Sequence, residues 1–174
     1  SNTASEMIIK NSLLRILKDL VVALNKDSSL VHDVVIPLIP LCCDPKSEYY
    51  SLLCEDGLEL WSAILKTIDT NAVISTKLLD PALFEMLVNA LVNWTEILPL
   101  TLTIIRSHFL ISFEIFNNDV GMRIFQVLAG YLRTMRDDSV FLTASILDVA
   151  IMQDGGQGQG QGEKEKEKAK LYEN

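Results

Sequence analysis

A chain of 174 residues, 49% apolar with mean hydropathy +0.26, has room for one compact domain or a short run of repeats. Its 23 acidic against 15 basic side chains leave a net charge of −8, and residues 1–153 carry −7 of it. Such a surface repels phosphate backbones, which argues against direct nucleic-acid binding and suits basic partners, although acidity also serves simply to keep an apolar chain in solution.

Apolar residues recur at three- and four-residue spacing nearly throughout, as in Leu13, Leu14, Leu17, Leu20, Val21 and Leu24, and strand-type alternation is nearly absent. The first predicted helix begins near Ser5-Glu6, after a disordered start at residues 1–5, and ends at Asn25-Lys26-Asp27-Ser28-Ser29. A second helix spans about 30–43, with Ser29 as its N-cap, and Pro37 and Pro40 should bend or break it because each removes a backbone donor. After a turn at Asp44-Pro45-Lys46-Ser47, a third runs over 48–68 and is closed by Asp69-Thr70-Asn71. A weak β-branched segment, 72–76, leads to a preliminary turn at 77–79. Asp80-Pro81 then marks a strong helix start, Asp at the N-cap and Pro at the first position, for a fourth helix reaching Trp94. The fifth spans 95–116 with Pro99 in its first turn, and Asn117-Asn118-Asp119 forms a loop. The sixth spans 120–136, and Asp137-Asp138-Ser139 caps a seventh that ends near Met152.

The first, third, fifth and seventh helices start near residues 6, 48, 95 and 139. These intervals lie close to the period of about 40–47 residues of HEAT and armadillo arrays. The expected fold is all-α: a right-handed α-solenoid of HEAT-type helix pairs, about seven helices in all, with one orphan helix (6–25) followed by pairs at 30–68, 77–116 and 120–152. A closed bundle of seven helices is the alternative. An apolar content this high for 174 residues is what a piece of a longer array would show, because end faces pack on neighbouring repeats. The opening Ser1-Asn2, without an initiator Met, points the same way. From 153 to 174 the character changes to a Gly-Gln run and a Glu-Lys run, read as a flexible low-complexity linker or the start of a further helix.

Winding 48–68 at about 100° per residue gathers Tyr50, Leu53, Gly57, Leu60, Trp61, Ile64 and Ile68 on one side. Glu48, Glu55, Glu59, Ser62 and Lys66 gather on the other, with Asp56 at the seam, where it could cap an adjacent helix start or hold a loop. Glu48, Glu55 and Glu59 are therefore the candidate partner-binding residues, against the plainer reading of a solvated stripe. Gly57 lies inside the buried arc, where glycine sacrifices about 1 kcal/mol of helix propensity, so a closely approaching helix must need the room. Leucine there should destabilise the array by overpacking. Trp61 and Trp94 are read as core residues.

No catalytic, metal or cofactor site is expected. The two histidines, His32 and His108, fall on separate repeats without a nucleophile at a recognisable spacing, and the Gly-Gln run lacks the lysine and preceding strand of a phosphate loop. Cys42, Cys43 and Cys54 show no C-x-x-C spacing, which argues against zinc or a disulfide framework and for small core residues in a reducing compartment. The greasy run 97–113 is interrupted by Pro99, Arg106 and His108, so no membrane insertion is expected. Asn93-Trp94-Thr95 matches a glycosylation acceptor but carries no weight in a helix-rich chain of this kind.

The run Leu30-Val31-His32-Asp33-Val34-Val35-Ile36-Pro37-Leu38-Ile39-Pro40, then Asp44-Pro45, then Tyr50 and Leu52-Leu53-Cys54-Glu55-Asp56-Gly57-Leu58-Glu59-Leu60-Trp61, resembles the importin-β (karyopherin-β) family. It is most similar to the importin-eleven branch and its fungal counterpart, where such a tract sits in a middle-to-C-terminal HEAT repeat. Cys54 departs from the acidic or small residue expected ahead of the Asp-Gly pair, and the resemblance is specific over about 30–65. It implies a nuclear transport receptor: a superhelix that holds protein cargo on its inner surface and phenylalanine-glycine nucleoporins on its outer one, and that answers to the GTPase Ran through repeats elsewhere in the parent protein. It implies residence in cytoplasm, nucleus and the nuclear pore. A HEAT scaffold or regulatory subunit unconnected with transport is the competing reading; an all-helical enzyme is disfavoured because the sequence carries no recognisable catalytic motif.

Overall fold

Asp80-Pro81 shows how locally these helices are specified. The Asp80 carboxylate accepts a hydrogen bond from the Ala82 amide at 2.9 Å, and Pro81 occupies the first helical position, where its missing N–H leaves no intrahelical bond unmade. The computed structural model describes residues 2–68, 76–111, 119–131 and 139–152, and all of its regular structure is helical. In chain order the helices are α1 (Asn2–Leu24), α2 (His32–Val35), α3 (Leu38–Cys43), α4 (Tyr50–Thr67), α5 (Pro81–Asn93), α6 (Leu98–Ile111), α7 (Asp119–Tyr131) and α8 (Ser139–Met152). Short 3₁₀ segments at Asn25–Val31, Thr76–Leu79 and Thr95–Ile97 link or lead into them.

The expected second helix is broken in two, and proline chemistry explains where. Pro37 stands at the N-cap of α3, where no helical donor is needed. Pro40 falls in the first turn of α3, so its missing N–H costs no bond either. Ser29 does not cap this helix. It lies inside the 3₁₀ segment, its carbonyl accepts the His32 N–H, and Val31 holds the cap position. The reason is upstream: Asn25 takes φ 50°, a left-handed conformation that asparagine tolerates, which ends α1 at Leu24 and winds the chain straight into the 3₁₀ turn. At the other margin α1 is already helical at Asn2, ahead of the expected start at Ser5-Glu6. The preliminary turn before Asp80 and the placing of Pro99 in the first turn of α6 are as expected. The expected linker at 153–174, the weak segment at 72–75 and the loop residues 117–118 and 137–138 lie outside the described residues.

Side-chain bonds between elements decide between a solenoid and a closed bundle. In one row, α1 meets α4 through Arg15–Asp56 and Lys18–Glu59, each pair separated by 41 residues. The row continues from α4 to α6 through Trp61–His108, 47 apart, and from α6 to α8 through Arg106–Ser145, 39 apart. In the other row Asp33 of α2 pairs with Lys77 just before α5, 44 apart. From α5 to α7 run Glu85–Arg123, 38 apart, and the Tyr131 hydroxyl bonded to the Leu91 carbonyl, 40 apart. A bundle closed on one centre would mix sequence separations. Separations that stay within 38–47 residues down two rows mark a stack of helix pairs, with the span of HEAT-type units. The fold is an all-α solenoid. Within a pair, α5 and the segment Thr95–Ile111 meet at 107°, turning at Trp94.

The core runs along the stack. Helix α4 packs against α1, α3 and α6, and 11 of its 18 residues are buried, which places it inside the row. Leu60, Trp61 and Ile64 are fully buried, and so are Ile39, Leu87, Leu91, Leu102 and Phe109 around them. Trp94 is only half-buried and meets Tyr50 edge-on at 5.5 Å. Helix α3 does approach α4 closely at Gly57: a Cβ built there would stand 2.5 Å from Cys42 Cβ and 3.0 Å from Cys43 Sγ. Cys42, Cys43 and Cys54 are all buried free thiols at this α3–α4 contact, and burial pushes the Cys42 thiol up to about 11. Ser62, expected on the polar side of the third helix, is 3% exposed, because α4 is covered on three sides rather than one. No single helix among the described residues is long and apolar enough to cross a membrane.

Candidate partner-binding surface

A polar seam runs where α1 meets α4, and several of its charges are paired across it. Arg15 Nε lies 3.1 Å from Asp56 Oδ1, and Lys18 Nζ lies 2.7 Å from Glu59 Oε2. Both pairs bridge α1 and α4 and follow from the helical spacing of 15 and 18 against 56 and 59, which turns the same face of each helix to the other. The carboxylates hold both cations in their charged forms: Asp56 raises the Arg15 guanidinium, and Glu59 raises the Lys18 ammonium, against a smaller opposing effect of burial.

The three candidate glutamates therefore stand in different situations. Glu48 is exposed but precedes α4, in the turn that Asp44 and Ser47 build by accepting the Lys46 and Tyr49 amides. Glu55 is exposed on α4. Glu59, one turn on, is half-exposed and tied to Lys18. The structure thus brings Glu55 and Glu59 onto one stripe and leaves Glu48 off the helix. Asp56 holds α1 rather than a loop or a helix start.

Trp61 and His108 form the buried counterpart of this seam. Trp61 Nε1 donates to His108 Nε2 at 3.0 Å, which puts the imidazole proton on Nδ1, and Phe84 stands edge-on to the same ring at 4.9 Å. Nδ1 has no partner among the described residues. Burial pushes His108 down to about 3, so it is neutral at any physiological pH and serves as a fixed acceptor between α4 and α6. His32, part-buried beside Ser28 and lowered by burial, belongs to the joint between the 3₁₀ turn and α4, where Thr67 Oγ1 meets Ser28 Oγ at 3.0 Å. His108 meets Trp61 and Phe84, His32 Nε2 lies 3.3 Å from the Ser28 hydroxyl that Thr67 also meets, and among the described residues no group of three His, Cys, Asp or Glu is placed to hold a metal. The arrangement presents fixed side chains along a stack.

Sequence reasoning missed the cross-repeat partners Arg15, Lys18, Arg123 and Lys77. A signal for them exists. Sliding the chain against itself by 38–44 residues sets these cations opposite Asp56, Glu59, Glu85 and Asp33.

Comparison with known proteins agrees with this geometry. Residues 11–158 match a family described as importin-11-like, TPR repeats. The importin beta-like protein KAP120 of Saccharomyces cerevisiae is 38% identical over 157 residues, covering 88% of this chain and 15% of the yeast protein. The solved structure of Lph2, a bidirectional nuclear transport receptor of S. cerevisiae, superposes with a TM-score of 0.79 at 38% identity, covering 85% of this chain and 15% of that one. The chain thus spans about 15% of the length of the relatives it matches. The repeated separation of 38–47 residues exceeds the 34 of tetratricopeptide units, so the packing is HEAT-like whatever the family's label. With the family match spanning residues 11–158 and the same helix stack, the chain belongs to the importin-11-like family of importin-β-type transport receptors.

Proposed function

We propose that this chain is a segment of a nuclear transport receptor that helps hold protein cargo as it passes between cytoplasm and nucleus through the nuclear pore. The parent protein would engage phenylalanine-glycine nucleoporins and respond to Ran. The segment acts as a binding surface and not as an enzyme. The observation that carries the reading is the stack itself: a row of helices tied at separations of 39–47 residues, with Glu48 and Glu55 exposed beside it, in a chain 38% identical to an importin beta-like protein over 157 residues. Basic cargo segments are held by charge complementarity, with Glu55 and Glu48 offering free carboxylates and Glu59 sharing its own with Lys18.

The test uses the full-length parent. Retention on phenylalanine-glycine repeats and on GTP-loaded Ran is expected, and failure to retain either overturns the transport reading. Binding of basic cargo should weaken as salt rises past the point where the screening length falls to about 8 Å. Glu48→Gln with Glu55→Gln should weaken it further and flatten the salt dependence. Cargo affinity unmoved by salt and by both substitutions refutes the acidic edge as the holding surface.

A further inference from the structure

Beyond the Lys18–Glu59 pair the seam between α1 and α4 opens into a groove of about 600 Å³. The register explains the opening. At the same separation of 41 residues, Val22 stands opposite Ala63 and Asn25 opposite Lys66, so short or flexible side chains replace an ion pair. Leu100, in the first turn of α6, borders the third side.

Two observations indicate what the groove receives. Ser62 lines it, is 3% exposed, and its hydroxyl has no hydrogen-bond partner among the described residues. A helical serine or threonine normally turns its hydroxyl onto the carbonyl four residues back, as Thr101 does to Ile97 at 3.3 Å and Ser107 does to Thr103 at 2.9 Å. Ser62 departs from that habit and keeps a donor in reserve. The charges are also unbalanced. Glu59 is neutralised by Lys18, whereas Lys66 is exposed and makes no ion pair with a described residue. On a chain of net charge −8 the charged side chains lining the groove, Lys18, Lys66 and Glu59, sum to +1. The carbonyl ends of α1 and α4 border it and their partial negative charge draws on that surplus, so anion binding rests on the donors themselves: the Lys66 ammonium, and Lys18, which keeps two further ammonium protons after bonding Glu59.

We propose that this groove docks the carboxylate of an aspartate or glutamate on a segment of a partner protein. Lys66 Nζ takes the carboxylate, the Ser62 hydroxyl, enclosed in this structure, turns outward to meet it, and the apolar residue beside it lies on Val22, Ala63 and Leu100. The sign is opposite to that of the basic cargo assigned to the glutamate edge, and the groove stands whether or not the chain carries cargo. A partner segment bearing both signs would engage the two sites at once.

The test is an NMR titration of the ¹⁵N-labelled 174-residue chain with three blocked peptides, Gly-Leu-Glu-Leu-Gly and its Gln and Lys counterparts. The Glu peptide should shift the amides of Val22, Asn25, Ser62 and Lys66, and the Gln peptide should bind about fivefold more weakly, the scale of an exposed ion pair. Lys66→Glu should abolish the shifts. Ser62→Ala, which removes an unpartnered buried hydroxyl and so should fold normally, should weaken binding, while Lys46→Glu in the exposed turn should leave it unchanged. Absence of shifts at these amides with the Glu peptide at millimolar concentration overturns the proposal. So does a Lys peptide that binds there as well as the Glu peptide.

Discussion

Replacing Gly57 by alanine adds one methyl group at the tightest point of the helix stack. Its carbon would sit 2.5 Å from Cys42 Cβ and 3.0 Å from Cys43 Sγ, whereas non-bonded carbons rest about 3.5–4.0 Å apart. The first of these atoms is fixed by the backbone of α3, so no rotamer change relieves the contact, and α3 must move off α4 by about 1 Å. Overpacking costs about 1–3 kcal/mol, and a contact of 2.5 Å against a carbon fixed by the backbone falls in the upper part of that range, about 2–3 kcal/mol, of which the better helix propensity of alanine returns about 1 kcal/mol. The expected net loss is about 1–2 kcal/mol, or about 2–8 °C in Tm for a chain of this size. Urea and thermal unfolding followed by circular dichroism measure it. The geometry also dictates which second change rescues. Cys42→Ala keeps the offending Cβ and should not restore stability, whereas Cys42→Gly removes it and should reveal favourable coupling in a double-mutant cycle. Gly57→Leu should be worse than alanine. An unchanged or raised Tm for Gly57→Ala, or equal rescue by Cys42→Ala and Cys42→Gly, refutes the close approach of α3 to α4.

The same stack makes further measurable claims. Lys18→Glu or Glu59→Lys alone should each lower stability, and the exchanged pair should recover most of it; the coupling, about 0.2–1 kcal/mol for a pair this exposed, should shrink in high salt. Trp61→Phe strands His108 Nε2 as a buried acceptor and should cost about 1–3 kcal/mol by denaturant titration, more than Trp94→Phe, whose ring is only half-buried. His108 also sets a pH dependence. Its pKa is about 3 when folded against 6.5 for the free group, so the unfolded chain binds the proton first. Stability is full above pH 6.5 and falls as pH drops towards 3, by about 1.4 kcal/mol per unit and so about 2 kcal/mol at pH 5. His108→Gln should flatten that slope between pH 7 and 5; an identical slope in the variant assigns the acid sensitivity elsewhere.

Helix positions are written locally. Asp80-Pro81 starts α5 through a bond made within three residues, Pro37 breaks a helix by lacking one donor, and both are legible in the chain alone. The repeat is legible as well, because a buried stripe must recur wherever a helix pair does, and Gly57 announced a close neighbour because a helix tolerates an interior glycine only for a reason. The tract ending at Trp61 likewise sufficed to point to the family.

What lies between helices was decided by packing. A stripe of glutamates looks the same in sequence whether free or paired. Only the register of α1 on α4 commits Glu59 to Lys18 and Asp56 to Arg15 while leaving Glu55 exposed. Helical periodicity sorted Ser62 with the polar residues, yet cover from three sides buries it and leaves its hydroxyl unpaired. Trp61 and His108 are 47 residues apart, and nothing local to either says that they meet. Hydrogen bonds along a helix are fixed by the chain's own geometry; those across helices depend on how far one cylinder slides and turns against the next, a quantity that exists only once the stack has formed.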